Sequence, residues 1–285
     1  MLKEAINPGL GIRKLHSHGV TGKGVRVAII DQALYLDHPE FAGKIVAYHD
    51  LASGERVSMH GPAVTSLLVG TNCGTAPDAR VYYVAVRGGV YEEDFVEGLY
   101  WIVQQNSKLQ GSEKIRVVCV SAAPGERGKP CKESSKRWKD ACAHAEAKDI
   151  LVLDCTSNRG FVHSCWYDLR APESITRCKH GYPGMDFPIV PSQILAPASV
   201  RTTAEQQPNG DFGYQYWGQG GRSWAIPYVA GVLALGWQVH PELKSEQMQE
   251  LLFKSAYQKK NGARIINPEK FIRLVRGAKA NQRGK

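Results

Sequence analysis

Short apolar runs at 25–30, 45–48, 80–86, 115–121, 150–155 and 193–198 alternate with helical patterns at 10–18, 61–70, 93–106, 134–148, 224–239, 245–255 and 268–275. That alternation constrains the chain more than any single motif. A repeated strand–helix order closes most readily into a mostly parallel sheet covered by helices on both faces. The expected class is therefore α/β, with functional groups gathered at strand carboxyl ends and helix N-termini. With 285 residues, 43% of them hydrophobic, the chain can bury a large core and remain one domain. That domain is expected over residues 1–275, followed by a basic, unstructured tail at 276–285. The longest apolar stretch, Trp224 to Val239, is interrupted by Pro227 and falls short of a bilayer span. It predicts a buried central helix, and no membrane segment is expected.

Three places carry chemistry. The strand Val25–Ile30 ends in Asp31, His60-Gly61-Pro62 opens the helix that follows, and Ser223 sits where the Gly220-Gly221 turn runs into the helix beginning at Trp224. A serine hydroxyl is a weak nucleophile near neutral pH, so it needs an imidazole to take its proton and return it to the leaving group. A carboxylate beside that imidazole orients the ring. A helix starting at the nucleophile adds backbone N–H groups and a positive dipole end. Asn158, just past the apolar run Ile150–Leu153, stands where a side-chain oxyanion donor is needed. Taken singly, each residue has an ordinary reading as a strand-end carboxylate, a turn residue, an N-cap or a turn former. Their order and shared placement favour the chemical reading.

On these residues the chain resembles the subtilisin-like serine proteases, peptidase family S8. Further framework pieces agree: Asn7-Pro8-Gly9, Gly22-Lys23-Gly24-Val25, Ala76-Pro77 and Gly181-Tyr182-Pro183-Gly184. The resemblance covers nearly the whole chain. It implies a three-layer α/β/α fold and an endopeptidase in which Asp31, His60 and Ser223 form the triad and Asn158 donates to the oxyanion. It also implies a peptide or protein substrate bound as an extended strand. Ser121-Ala122-Ala123 and Cys155-Thr156-Ser157 would flank the pocket for the residue before the scissile bond, and Arg87-Gly88-Gly89-Val90 would pair with the peptide. Glu92, Glu93, Asp94 and Glu126 lie near that cleft. They suggest either a taste for Lys or Arg, or simply a favourable helix N-terminus and a solvated loop.

The chain departs from the family pattern in several places. Pro62-Ala63 follows the histidine where the family has Thr-His, Arg222 precedes the nucleophile in place of Thr, and Tyr228 follows Pro227 in place of His. These changes keep open a second reading, a catalytically weak or silent peptide-binding protein. The segment Val69 to Pro77 is too short for the calcium loop of many secreted relatives, so no calcium is expected there. An insertion between Asn158 and Gly181 carries His163, Cys165, Cys178 and His180. These four are candidates for zinc, Cys165 and Cys178 for a disulfide, and free thiols are the plain alternative.

No cofactor is expected. Gly19-Val20-Thr21-Gly22-Lys23-Gly24 precedes the first strand instead of following it, which defeats a dinucleotide fingerprint. The net charge of +9 is spread along the chain, densest at Lys129–Lys139 and Arg276–Lys285, without a recognised nucleic-acid module. No specific nucleic-acid partner is expected, and the protein is read as a monomer. Seven cysteines and an N-terminus without an apolar h-region point to a reducing cytoplasm. A secreted enzyme whose signal and propeptide had been removed would read the same way.

Overall fold

A computed structural model describes residues 1–89, 91–125 and 133–283. Val90, Glu126 and the start of the basic stretch at Lys129 lie outside the described residues. The central sheet has five parallel strands: β1 (Arg26–Asp31), β2 (Ile45–Asp50), β3 (Arg80–Ala85), β4 (Ile115–Val120) and β5 (Leu151–Leu153). Their spatial order is β2-β3-β1-β4-β5. From β1 the chain first fills one side of the sheet with β2 and β3, then crosses to the other with β4 and β5. β1 is thus the topological switch point, and the crevice beyond its carboxyl end is where open α/β sheets bind ligands.

Seven α-helices accompany the sheet among the described residues: α1 (Ile12–Ser17), α2 (His60–Val69), α3 (Glu92–Ser107), α4 (Lys136–Glu146), α5 (Arg222–Val239), α6 (Ser245–Ser255) and α7 (Pro268–Arg283). Strand residues explain why both faces are covered. On β1, Val27 and Ile29 enter a core shared with α2 and α5, whereas Ala28 and Ile30 enter a second core shared with α3 and α4. A strand that is apolar on both faces must lie between two helical layers. The three-layer α/β/α architecture expected from sequence is the one observed.

The region after Asn158 contains more strand than the sequence pattern indicates. β6 (Val162–Trp166), β7 (Lys179–His180) and β8 (Ile194–Pro197) join β11 (Tyr257–Gln258) and β12 (Arg264–Ile265) in a second sheet of order β11-β12-β8-β6-β7. β9 (Arg201–Gln206) and β10 (Phe212–Trp217) form an antiparallel hairpin. The C-terminus also differs from expectation. Residues expected as an unstructured tail from 276 continue α7 to Arg283. The apolar stripe of Phe271, Ile272 and Val275 is carried on by Ala278 against the same core, and Lys279 Nζ donates to the Val239 carbonyl at 2.9 Å. Gly277 lowers helix propensity but does not end a helix whose next turn still finds packing.

Candidate active site

The start of α2 is pressed against the end of β1. A Cβ on Gly61 would come within 2.7 Å of Tyr83 Oη and would collide with the carbonyls of Gln32 and Ala33. Tyr83 Oη in turn donates to the Gln32 carbonyl at 2.5 Å. This close approach brings His60 to Asp31, and His60 Nδ1 lies 2.6 Å from Asp31 Oδ1. The carboxylate is also fixed by the Gln32 N–H at 2.8 Å. Its side chain is 3% exposed against 25% for the imidazole, so the acid is buried behind a ring that reaches the surface. Burial acts against the charged imidazole, but the Asp31 charge and hydrogen bond outweigh it and hold the His60 pKa above its ordinary 6.5.

α5 approaches the same sheet end. Trp224, the residue after Ser223, lies with its ring centroid 5.5 Å from that of His60. Pro227 lies inside α5 and lacks the N–H that would bond the carbonyl four residues back, on Ser223. Ser121, immediately beyond β4, fills that gap: its Oγ donates to the Ser223 carbonyl at 2.9 Å. The Ser223 hydroxyl donates to the Ser121 carbonyl at 3.0 Å. The nucleophile candidate thus stands one residue before a ring that packs on His60, with its hydroxyl directed at the Ser121 carbonyl.

Asn158 is held from its oxygen side. Its Oδ1 accepts from Ser134 N–H and Ser134 Oγ, both at 2.9 Å, which commits Nδ2 to the role of donor. The loop bearing it is anchored by buried Asp154. This carboxylate accepts from Thr156 N–H at 2.9 Å, Thr156 Oγ1 at 2.6 Å, Trp138 Nε1 at 2.9 Å and Arg159 Nη1 at 2.7 Å. Sequence reading missed Asp154 and Ser134. The Asp154-x-Thr156 spacing of a side-chain turn was the available signal for the first, and nothing local marks the second.

The expected substrate-binding segments fall around this centre, with corrections. Ser121-Ala122-Ala123 and Cys155-Thr156-Ser157 leave β4 and β5 side by side, joined by Cys155 N–H to the Ala122 carbonyl at 2.8 Å. Thr156 is fully buried and turned toward Asp154, so its side chain cannot line a pocket. Gly88 N–H donates to Glu55 Oε2 at 2.6 Å, placing an unanticipated carboxylate on the edge expected to pair with peptide. Arg87 is bound to Asp94 at 2.5 Å and Glu93 at 3.1 Å, and lies over the Tyr91 ring at 4.2 Å. Glu92 bonds Ser135. The acidic trio is thus engaged by Arg87 and Ser135 within the protein.

The zinc candidates do not assemble. His163 and Cys165 lie on β6, Cys178 and His180 at β7, with Cys165 opposite His180. Both thiols are buried in the core, while His163 packs on Phe187 at 5.3 Å and His180 Nε2 faces Asp186 Oδ1 at 3.9 Å. Among the described residues no three potential ligands form a metal-holding group. Cys165 and Cys178 are both free thiols.

At the switch point of its parallel sheet, this chain of α/β/α architecture carries a buried carboxylate, an imidazole and a serine-bearing helix start. It belongs to the Subtilase family, whose family model matches residues 22–271. Subtilisin-like protease PopC of Myxococcus xanthus is 23% identical, with 86% of this chain and 58% of that protein covered. Subtilisin E of Bacillus subtilis is 26% identical, with 85% and 63% covered. The chain thus spans about three fifths of these relatives. The solved structure of prenylagaramide maturation protease PagA superposes with a TM-score of 0.66 at 20% identity, covering 94% of this chain and 99% of that one. The subtilase cytotoxin SubAB structure gives 0.67 at 15% identity, covering 95% and 96%.

Proposed function

We propose that this chain is a serine endopeptidase that cleaves peptide bonds through an acyl-enzyme on Ser223. His60 acts as general base and then general acid, Asp31 orients and stabilises its imidazolium, and Asn158 Nδ2 donates to the oxyanion. The observation that carries this reading is the 2.6 Å Asp31–His60 bond at the carboxyl end of β1, beside the helix start bearing Ser223. For attack, the Ser223 hydroxyl must leave the Ser121 carbonyl and reach His60 Nε2. His60 takes the proton as the C–O bond forms, then passes it to the leaving amine as the C–N bond breaks. Water attacks the acyl-enzyme by the same route. An extended peptide would lie along Arg87-Gly88-Gly89, with the residue before the scissile bond between the segments after β4 and β5. The catalytic unit is taken as residues 1–275 plus the continuing α7, acting as a monomer. No described helix is long and apolar enough to cross a membrane.

One observation favours a second reading, a silent peptide-binding protein: the Ser223 hydroxyl is satisfied by Ser121. A fluorophosphonate probe separates the two. Labelling of the wild type and not of Ser223→Ala is expected; equal labelling of both, or of neither, defeats the enzyme reading.

A pH dependence follows from His60. It must be neutral to act as base, and its pKa is raised, so activity is lost on acidification through a midpoint above 6.5. The acid limb of kcat/KM should show that midpoint. Asp31→Asn removes the charge, the larger of the two raising influences, and leaves burial, so the limb of its residual activity should fall to lower pH than in the wild type. A wild-type midpoint at or below 6.5 would contradict the pairing.

A further inference from the structure

Arg222 stands immediately before Ser223 and reaches back across the site. Its Nη1 donates to the Cys155 carbonyl at 3.0 Å. Cys155 N–H donates to the Ala122 carbonyl, and neighbouring Ser121 accepts from the Ser223 hydroxyl. Because Ser121 and Ala122 are adjacent, as are Arg222 and Ser223, these three hydrogen bonds close a ring. The ring joins the end of β4, the end of β5 and the first turn of α5. Asn158 lies three residues beyond Cys155, its oxygen already held by Ser134. The Asp154 network fixes this loop from beneath, and Arg222 gives it a direct tie to the nucleophile's helix.

A second observation places the Arg222 charge over the same region. The half-buried His163 imidazole is driven down to about 4, first by burial and then by the charge of Arg222. The guanidinium held on the Cys155 carbonyl therefore also acts on β6, which bears His163. A planar guanidinium can hold a carbonyl at fixed distance and angle, which an ammonium on a flexible stem does poorly.

We propose that Arg222 is a positioning residue of the oxyanion site: by clamping the Cys155 carbonyl it sets the separation between Ser223 and the Asn158 donor. This rests on the roles assigned above to Ser223 and Asn158. Misplacing a transition-state donor by about 1 Å can cost roughly 100-fold in rate, while ground-state binding along the peptide edge is untouched. The effect should therefore fall on kcat and not on KM.

The test is a kinetic comparison on a fluorogenic peptide amide of Arg222→Met, Arg222→Lys, Arg222→Ala, Ser223→Ala and the wild type. Arg222→Met, which keeps length without donors, should lose roughly 10- to 100-fold in kcat with KM changed less than about threefold. Arg222→Lys should recover part of that loss, and guanidinium ion added to Arg222→Ala should restore kcat in a saturable way. In Arg222→Met, the His163 ring resonances should titrate at higher pH than in the wild type. Full kcat in Arg222→Met, or a loss confined to KM, would overturn the proposal. If Arg222→Met does not fold, the kcat-against-KM split in Arg222→Lys decides it. An inactive Ser223→Ala beside a fully active Arg222→Met rejects the clamp alone, whereas an active Ser223→Ala rejects the assignment on which it stands.

Discussion

Ser223→Ala should lower kcat for amide hydrolysis by roughly 10⁶-fold, the size of loss that triad removal produces in subtilisin, a member of the same family. His60→Ala should lose about as much, and the double variant scarcely more, because hydroxyl and imidazole act as one proton-passing unit. Purified variants assayed by single-turnover cleavage of a peptide amide provide the measurement, with thermal unfolding alongside. In Ser223→Ala folding should be nearly unaffected. The Ser223 hydroxyl makes one hydrogen bond, to the Ser121 carbonyl, and its loss costs about 1 kcal/mol. A Ser223→Ala enzyme within tenfold of wild type would end the acyl-enzyme reading.

The sequence carried those parts of the site that depend on local order. Asp31 follows a continuous apolar strand, His60 opens an apolar helix and Ser223 follows a glycine turn, so strand ends and helix starts could be read along the chain. The central sheet was legible for the same reason, since β1, β3, β4 and β5 are largely buried on both faces and leave mainly apolar runs. What escaped is non-local or short. β7, β11 and β12 are two residues each and have no periodicity to detect. The β9–β10 hairpin did carry a signal, Asn209-Gly210, but its strands are rich in Gln, Thr and Tyr and lack an apolar alternation.

Polar groups that hold loops were equally hidden, because their value comes from partners far along the chain. Glu40 is buried and accepts from Asn72 N–H at 2.9 Å, Asn72 Nδ2 at 2.8 Å, Cys73 N–H at 3.2 Å and Tyr214 Oη at 2.6 Å. Burial works against its charge, yet these donors keep its pKa below the usual carboxylate value. The short segment after α2 is thus tied down by a carboxylate lying about thirty residues earlier. Arg222 is the instructive intermediate case. Its departure from the family pattern was visible in the sequence, but the hydrogen bond it makes appears only once Cys155 is brought within reach.

Asp154→Ala should cost about 3–5 kcal/mol of stability, because it leaves a buried indole N–H without its acceptor and takes from Arg159 its buried counter-charge. Asp154 is 1% exposed and Trp138 fully buried, so water cannot replace the lost carboxylate at Trp138 Nε1. Arg159 would keep only its contact with Glu146 and the Val152 carbonyl. For a domain of this size the penalty corresponds to roughly 6–15 °C in Tm, readable by thermal or urea unfolding. Asp154→Asn should cost less, since an amide oxygen still accepts from Thr156 or Trp138 while the charge opposite Arg159 is lost. The double variant Asp154→Ala, Arg159→Leu should regain part of the deficit, because it removes the stranded cation along with its partner. A loss below about 1 kcal/mol for Asp154→Ala would mean that the β5 end is held by other contacts. The same network supports the loop that presents Asn158, so kcat should fall about tenfold below the melting range while KM changes little. Stability and turnover should therefore decline together in Asp154→Ala but separately in Arg222→Met, which acts on the position of the loop and not on its anchor.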